Sequence, residues 1–325
     1  MWPFTKQELT EEFETWPIFR TTKEGKKYGL STQLFINNMQ CHFAGIDVYE
    51  DGMIDCWELV DYPLFQEKIN SHWVVPQPNK NQQLFVYNFG ATTPTDAVWY
   101  ANIPQILKFV KDTIKALNPT GVGLTKMPRE EPEFMGRVKV IEMPLVKSYR
   151  ATANGDVVGD SVPILVSDED FFLLSKLMVY TDGLVQVGRE GELVEIAKLA
   201  DLFSSGVIAT IAPPGSRIKL PGLGHFSVTE QFGWVTSDDR IAEIHDKLNQ
   251  LCGKQDSADI CIESFHQFID DPSDENREAL RVAYEAVPEH LRMYLGDMDV
   301  KDGLILDILD GNDDEVFEYL KRNPM

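Results

Sequence analysis

Arg20-Thr21-Thr22-Lys23-Glu24-Gly25 and Arg150-Ala151-Thr152-Ala153-Asn154-Gly155 lie 130 residues apart, and their likeness decides how the chain is read. The match runs on without a gap: Gly29 falls on Gly159, Ser31 on Ser161, Leu34 on Ile164 and Ile36 on Val166. At offset 131, Val48-Tyr49-Glu50-Asp51-Gly52-Met53-Ile54 meets Val179-Tyr180-Thr181-Asp182-Gly183-Leu184-Val185. At offset 134, Trp73-Val74-Val75 meets Val207-Ile208-Ala209, Leu84 meets Ile218, Val86 meets Leu220 and Gly90 meets Gly224. Leu107, Val110, Ile114 and Leu117 then meet Ile241, Ile244, Leu248 and Leu251. The order never changes, and what matches is mostly apolar and glycine positions. Those are the features a shared backbone demands, core-facing side chains and turns that need positive φ. One module is therefore written twice.

Each copy predicts the same elements. An extended segment (Leu34–Ile36; Ile164–Val166) follows a Gly-containing turn. A hairpin comes next, with Asp51-Gly52 or Asp182-Gly183 at its tight turn. A short helix (Leu64–Asn70; Leu193–Phe203) and a strand ending at Gly90 or Gly224 follow. The last element is an amphipathic helix: Ile103, Ile106, Leu107, Val110, Ile114 and Leu117 recur at helical spacing until Asn118-Pro119 stops them, and the second copy repeats this up to Gly253. Strands clustered ahead of helices predict an α+β module with a mainly antiparallel sheet, buried on one face under its helices. The predicted modules span residues 1–119 and 143–253. Residues 120–142 join them as a linker, with two prolines in Met127-Pro128-Arg129-Glu130-Glu131-Pro132-Glu133.

Residues 254–325 change texture and predict a small acidic helical domain. Ile260, Phe265 and Phe268-Ile269 form one amphipathic stretch. Ser273 suits the N-cap of the next helix, with Asn276 where a capping-box glutamate would sit. Shorter helices are expected at Glu289–Leu295, Leu304–Leu309 and Asp314–Arg322.

The chain has 325 residues, with 30 basic and 52 acidic side chains and a net charge of −22. The last 72 residues hold 7 of the basic and 19 of the acidic ones, more than half of the excess. So acidic a chain repels nucleic acid and anionic membranes and is steered towards a basic partner. No apolar run approaches a bilayer-spanning length. Met1-Trp2-Pro3-Phe4-Thr5-Lys6-Gln7-Glu8 lacks the pattern of a signal peptide, so the expected location is cytoplasmic. Cys41, Cys56, Cys252 and Cys261 form no CxxC pair and read as reduced thiols; a Cys41–Cys56 disulfide would require a hairpin between them.

No catalytic signature survives inspection. Asp47, Asp51, Asp55 and Glu58 fall on calcium-loop positions around Gly52, but Tyr49 occupies one ligand position. The duplicate has Met178, Tyr180 and Arg189 at ligand positions while keeping the apolar rhythm, which favours a hairpin. The six histidines (His42, His72, His225, His245, His266 and His290) form no HxxxH pair, so no zinc site is expected. Gly121-Val122-Gly123-Leu124-Thr125-Lys126 lacks the final glycine of a phosphate loop, and no GxSxG occurs. Trp57, Trp73, Trp99 and Trp234 read as core or module-interface residues. No cofactor is expected.

The segment Ala283-Tyr284-Glu285-Ala286-Val287-Pro288-Glu289-His290-Leu291-Arg292-Met293-Tyr294-Leu295-Gly296-Asp297-Met298-Asp299-Val300-Lys301-Asp302 resembles a stretch of uncharacterised bacterial proteins, some of which belong with the immunity proteins of Rhs-type and other polymorphic toxins. The resemblance implies a protein that neutralises a cognate toxin. With the charge, it leads to an expected non-catalytic binding protein whose acids occlude the basic surface of a toxin domain acting on nucleic acid or nucleotides. The candidate contacts are Glu50, Asp51, Asp55 and Glu58 on the first hairpin, with Asp297, Asp299, Asp302, Asp307, Asp310, Asp313 and Asp314 in the helical domain. The alternatives are an enzyme, a metal-dependent hydrolase using His42, Cys41 or Asp55 among them, and a structural adaptor.

Overall fold

A computed structural model describes residues 13–127, 146–168, 170–296 and 301–322. The first copy runs β1 (Thr15–Thr22), β2 (Gly25–Asn38), β3 (Gln40–Tyr49), β4 (Met53–Asp55), β5 (Leu59–Asp61), α1 (Tyr62–Asn70), β6 (Val74–Val75), β7 (Leu84–Val86), β8 (Gly90–Thr92), β9 (Thr95–Trp99) and α2 (Ile103–Leu117). The second runs β10 (Val146–Thr152), β11 (Gly155–Asp168), β12 (Phe171–Tyr180), β13 (Leu184–Val187), β14 (Leu193–Glu195), a 3-10 turn (Ile196–Lys198), α3 (Leu199–Ser204), β15 (Ile208–Ala209), β16 (Arg217–Leu220), β17 (Gly224–Ser227) and α4 (Ser237–Leu251). Five further elements follow among the described residues: α5 (Ser257–Asp270), α6 (Asp274–Ala286), a 3-10 turn (Glu289–Tyr294), α7 (Gly303–Asp310) and α8 (Asp313–Arg322). The α+β duplication followed by helices is what the sequence predicts.

The pairing scheme is duplicated too. In the first copy β6 adds antiparallel to β2 and β7 parallel to β3. In the second β15 adds antiparallel to β11 and β16 parallel to β12. The hairpin expected around Asp51-Gly52 is present, with Asp47 opposite Asp55 and Val48 opposite Ile54. Residues 193–195, expected to open a helix, form β14 against β13, and the helix starts only after them. Leu193 and Glu195 project outwards there, so the stretch lacks a helical apolar face.

The two copies do not make separate sheets. The 17 strands of the described residues belong to one sheet, joined where β1 pairs with β10 and β9 with β17. In the first junction Ile18 lies opposite Ser148, its own counterpart at offset 130. A residue paired with its own repeat marks a local two-fold axis. The second junction obeys the same symmetry. Gly224 pairs with Trp99, and the counterparts at offset 134, Gly90 and Gly233, meet so closely that a Cβ on Gly90 would lie 3.1 Å from the Gly233 nitrogen. One core serves both copies, from Leu34, Phe35, Phe65 and Val110 of the first to Leu165, Ile218 and Phe226 of the second.

The chain divides into two compact units, one up to Trp234 and one from Val235. The helix α4 completes the second copy in sequence but falls in the C-terminal unit. Its polar residues explain why. The Asp239 carboxylate accepts from the Glu289 N–H at 2.9 Å, and Asp246 accepts from the Ser257 N–H at 2.9 Å. Glu243, buried, takes an ion pair from the buried Arg240 and a 3.0 Å hydrogen bond from His290. The apolar centre of the unit is Cys261, Phe265, Phe268, Leu280, Ile305, Ile308 and Val316. Ser273 caps α6 as expected, accepting from the Asn276 N–H at 3.3 Å. Among the described residues no helix is long and apolar enough to cross a membrane.

The shifted carboxyls of the two units move mostly in opposite directions. Burial alone would raise the Glu243 carboxyl, but the His290 hydrogen bond and the Arg240 charge outweigh it and hold it below 4.5. Its stabilisation is complete above that unfolded value and disappears as pH falls through the folded one. Asp239 and Asp313 are held low as well, while Asp246 is raised by burial and opposes them. In the N-terminal unit burial raises Glu14 and Asp47 above 4.5 and 3.8, so protonation favours the fold as pH falls through their folded values. Acid below pH 4.5 is therefore expected to melt the C-terminal unit first. All six tryptophans lie at or before Trp234. Helical circular dichroism should fall while tryptophan fluorescence holds; coincident transitions would contradict the assignment.

Candidate functional site

The acidic residues expected to meet a partner divide sharply once their neighbours are counted. Asp51 is withdrawn inside: it is 6% exposed and pairs with Arg20 at 2.5 Å. Glu50 accepts from the Tyr28 N–H at 3.2 Å, Asp55 is half-buried, and the exposed Glu58 pairs with Lys68. In the C-terminal unit Asp313 takes a two-pronged bond from Arg277 at 2.8 and 2.6 Å, and Asp302 accepts from the Tyr284 hydroxyl at 2.7 Å. Asp307, Asp310 and Asp314 have no ion pair among the described residues. Asp310 and Asp314 are exposed and Asp307 half-buried. Asp297 and Asp299 lie outside the described residues, as does most of the predicted linker.

Cys41 and Cys56 are free buried thiols, each pushed up to about 12 by burial. Among the described residues no three histidine, cysteine or acidic side chains are placed to hold a metal together.

One concavity that the sequence did not announce is a half-open cavity of about 520 Å³ in the N-terminal unit. Its first wall is aromatic. His42 from β3, Phe85 from β7 and Trp57 from the β4–β5 turn sit edge to face, with ring centroids 4.8 Å (His42–Trp57) and 5.3 Å (His42–Phe85) apart. Tyr87, 61% exposed, stands at the rim. The second wall comes from β11 and β12: Ser161, Pro163 and Lys176. Pro163 lies opposite Lys176, and in the first copy their counterparts Gln33 and Gly45 lie opposite each other. Both pairs line the cavity, so it straddles the two-fold axis.

Among the described residues, Lys176 is the one cationic residue of the polar lining, beside Gln33, His42 and Ser161. Its ammonium donates one long bond, 3.4 Å, to the Ser31 hydroxyl. Burial holds it below the ordinary lysine value against the attraction of Asp47, Glu14 and Asp160. Glu14 is itself anchored by the Ser175 hydroxyl at 2.8 Å and the Arg189 N–H at 3.2 Å. A second cavity, about 470 Å³ beside α1, offers less. Its carboxylate, Asp61, already accepts from the N–H groups of Leu64 and Met127, each at 3.1 Å.

Trp57 corrects its sequence reading. It is 42% exposed, and its backbone sits at φ +70°, a region bulky side chains avoid. The counterpart at offset 131 is Gly188, at φ +65°. The fold demands positive φ here; the second copy meets it with glycine, whereas the first places an indole there at a cost of order 1–3 kcal/mol. Trp234 is likewise exposed, whereas Trp73 and Trp99 pack against the core as expected.

The pattern DUF7638, a domain of unknown function, matches residues 17–120 and again 147–255. The chain belongs to this family. The two matches begin 130 residues apart, the offset of the Arg20 and Arg150 segments. A second pattern, DUF7639, also a domain of unknown function, covers residues 256–321. No curated protein and no solved structure matches the chain. The second DUF7638 match includes α4, so the family boundary follows the repeat rather than the compact unit.

Proposed function

We propose that this DUF7638 protein is a non-catalytic, cytoplasmic binding protein that covers the basic surface of a protein partner, in the manner of an immunity protein occluding a toxin domain that acts on nucleic acid or nucleotides. The observation that carries the reading is the set of acids with no ion pair among the described residues: Asp307, Asp310 and Asp314, in a segment where acids outnumber bases 19 to 7. Acids already paired with an arginine, the buried Asp51 and the partly exposed Asp313, add little to attraction at a distance. Exposed carboxylates of one sign accelerate encounter with a cationic surface. The resemblance of residues 283–302 to immunity-like proteins points the same way.

The test is affinity capture from the native host followed by salt titration of the captured protein. Raising sodium chloride from about 50 to about 500 mM is expected to weaken the complex at least tenfold. Affinity indifferent to salt would exclude the electrostatic mode.

A further inference from the structure

We propose that the cavity on the two-fold axis binds a small, neutral, planar heteroaromatic molecule, whose ring lies among Trp57, His42, Phe85 and Tyr87 and whose carbonyl oxygen accepts from the Lys176 ammonium. The site is independent of the acidic surface described above.

The duplication supplies an internal control. Positions the fold requires are shared: Gly29 and Gly159, Gly52 and Gly183, Arg20 and Arg150, Asp51 and Asp182. The four aromatic positions are not. Their counterparts are Gly188 for Trp57, Leu173 for His42, Lys219 for Phe85 and Pro221 for Tyr87. The second copy folds with the same strand pairing without them, so the backbone does not call for this aromatic wall. Lys176 follows the same logic, since its counterpart is Gly45. Trp57 goes further, because it holds its ring at the cavity against a backbone preference that its counterpart satisfies with glycine.

The donor defines the ligand. An ammonium carries three N–H bonds, and among the described residues this one has a single long acceptor, so a ligand oxygen can meet the rest. Asp47, Glu14 and Asp160 already oppose the Lys176 charge, which disfavours adding another anion. A neutral carbonyl fits that balance better than a carboxylate. Aromatic rings stack on the wall, and about 520 Å³ leaves room for a bicyclic or tricyclic system.

Three probes of similar size separate the contributions: 2-quinolone, quinoline-2-carboxylate and naphthalene. Ligand-observed NMR titration on the full chain should give 2-quinolone a Kd of roughly 0.1–1 mM, with the other two at least tenfold weaker. Trp57→Gly, which installs the second copy's residue, should weaken 2-quinolone at least tenfold while the thermal midpoint falls by no more than about 3 °C. Lys176→Met should remove the preference for 2-quinolone over naphthalene. If Lys176→Met does not fold, the order of the three probes on the native chain still decides. No detectable 2-quinolone binding, equal binding of 2-quinolone and naphthalene, or full binding by Trp57→Gly would overturn the proposal.

Discussion

Arg20→Ala is expected to lower the stability of the N-terminal unit by about 3–5 kcal/mol, whereas Arg150→Ala should cost no more than about 1 kcal/mol. The two arginines are counterparts in the repeat, and each makes the same contacts. Arg20 pairs with Asp51 and lies over the Tyr49 ring at 4.8 Å. Arg150 pairs with Asp182 and lies over Tyr180 at 5.1 Å. What differs is cover. In the first copy Thr125 donates its N–H to the Asp51 carbonyl at 2.8 Å, and Leu124 lies against Gly52. Nothing lies within 4 Å of a Cβ built on Gly183. The side chains of Arg20 and Asp51 are 8% and 6% exposed, against 20% and 38% for Arg150 and Asp182. Removing one member of the buried pair leaves a carboxylate without compensation in a poorly solvated place; the open pair returns to water. For a unit of this size the difference, about 2–5 kcal/mol, amounts to roughly 4–20 °C in thermal midpoint, measurable by scanning calorimetry. Equal losses for the two variants would show that burial does not distinguish the pairs.

Gly224→Ala should be as damaging, at about 3 kcal/mol or more, while Gly90→Ala should cost about 1 kcal/mol or less. A Cβ on Gly224 would lie 2.3 Å from the Val98 carbonyl oxygen and 3.0 Å from the Trp99 Cα, both backbone atoms of β9. The strand cannot yield without losing the register that joins the copies, Gly224 opposite Trp99 and His225 opposite Val98. At Gly90 the nearest atom stands at 3.1 Å, where a small shift suffices. Denaturant midpoints of the two variants test this asymmetry. A Gly224→Ala protein as stable as Gly90→Ala would mean that the β9–β17 junction does not hold the copies together.

The repeat was legible because duplication writes the same backbone demands twice. Helix α2 ends where Asn118-Pro119 required, and its residues Ile106 and Val110 are buried as their spacing demanded. The α6 cap at Ser273 was equally readable. Partner choice between distant strands was not. Nothing local in β9 says that it will pair with β17, since edge pairing depends on how the copies close on each other. Nor did charge reveal use: Asp51 and Asp310 look alike in sequence, yet one is enclosed with an arginine and the other is exposed. Lys176 drew no notice because a single lysine in a strand carries no pattern. Trp57 could have been found, however. Aligning it with Gly188 beside a tight turn signals a position needing positive φ, and a tryptophan there asks for an explanation.

Under the proposed function, the exposed Asp310 and Asp314 and the half-buried Asp307 of the C-terminal unit draw in a basic partner. Stopped-flow association of the captured partner with the native protein and with an Asp307→Asn, Asp310→Asn, Asp314→Asn variant tests it most directly. The association rate constant is expected to fall about tenfold while the dissociation rate changes little. An unchanged association rate in a folded variant would contradict the account.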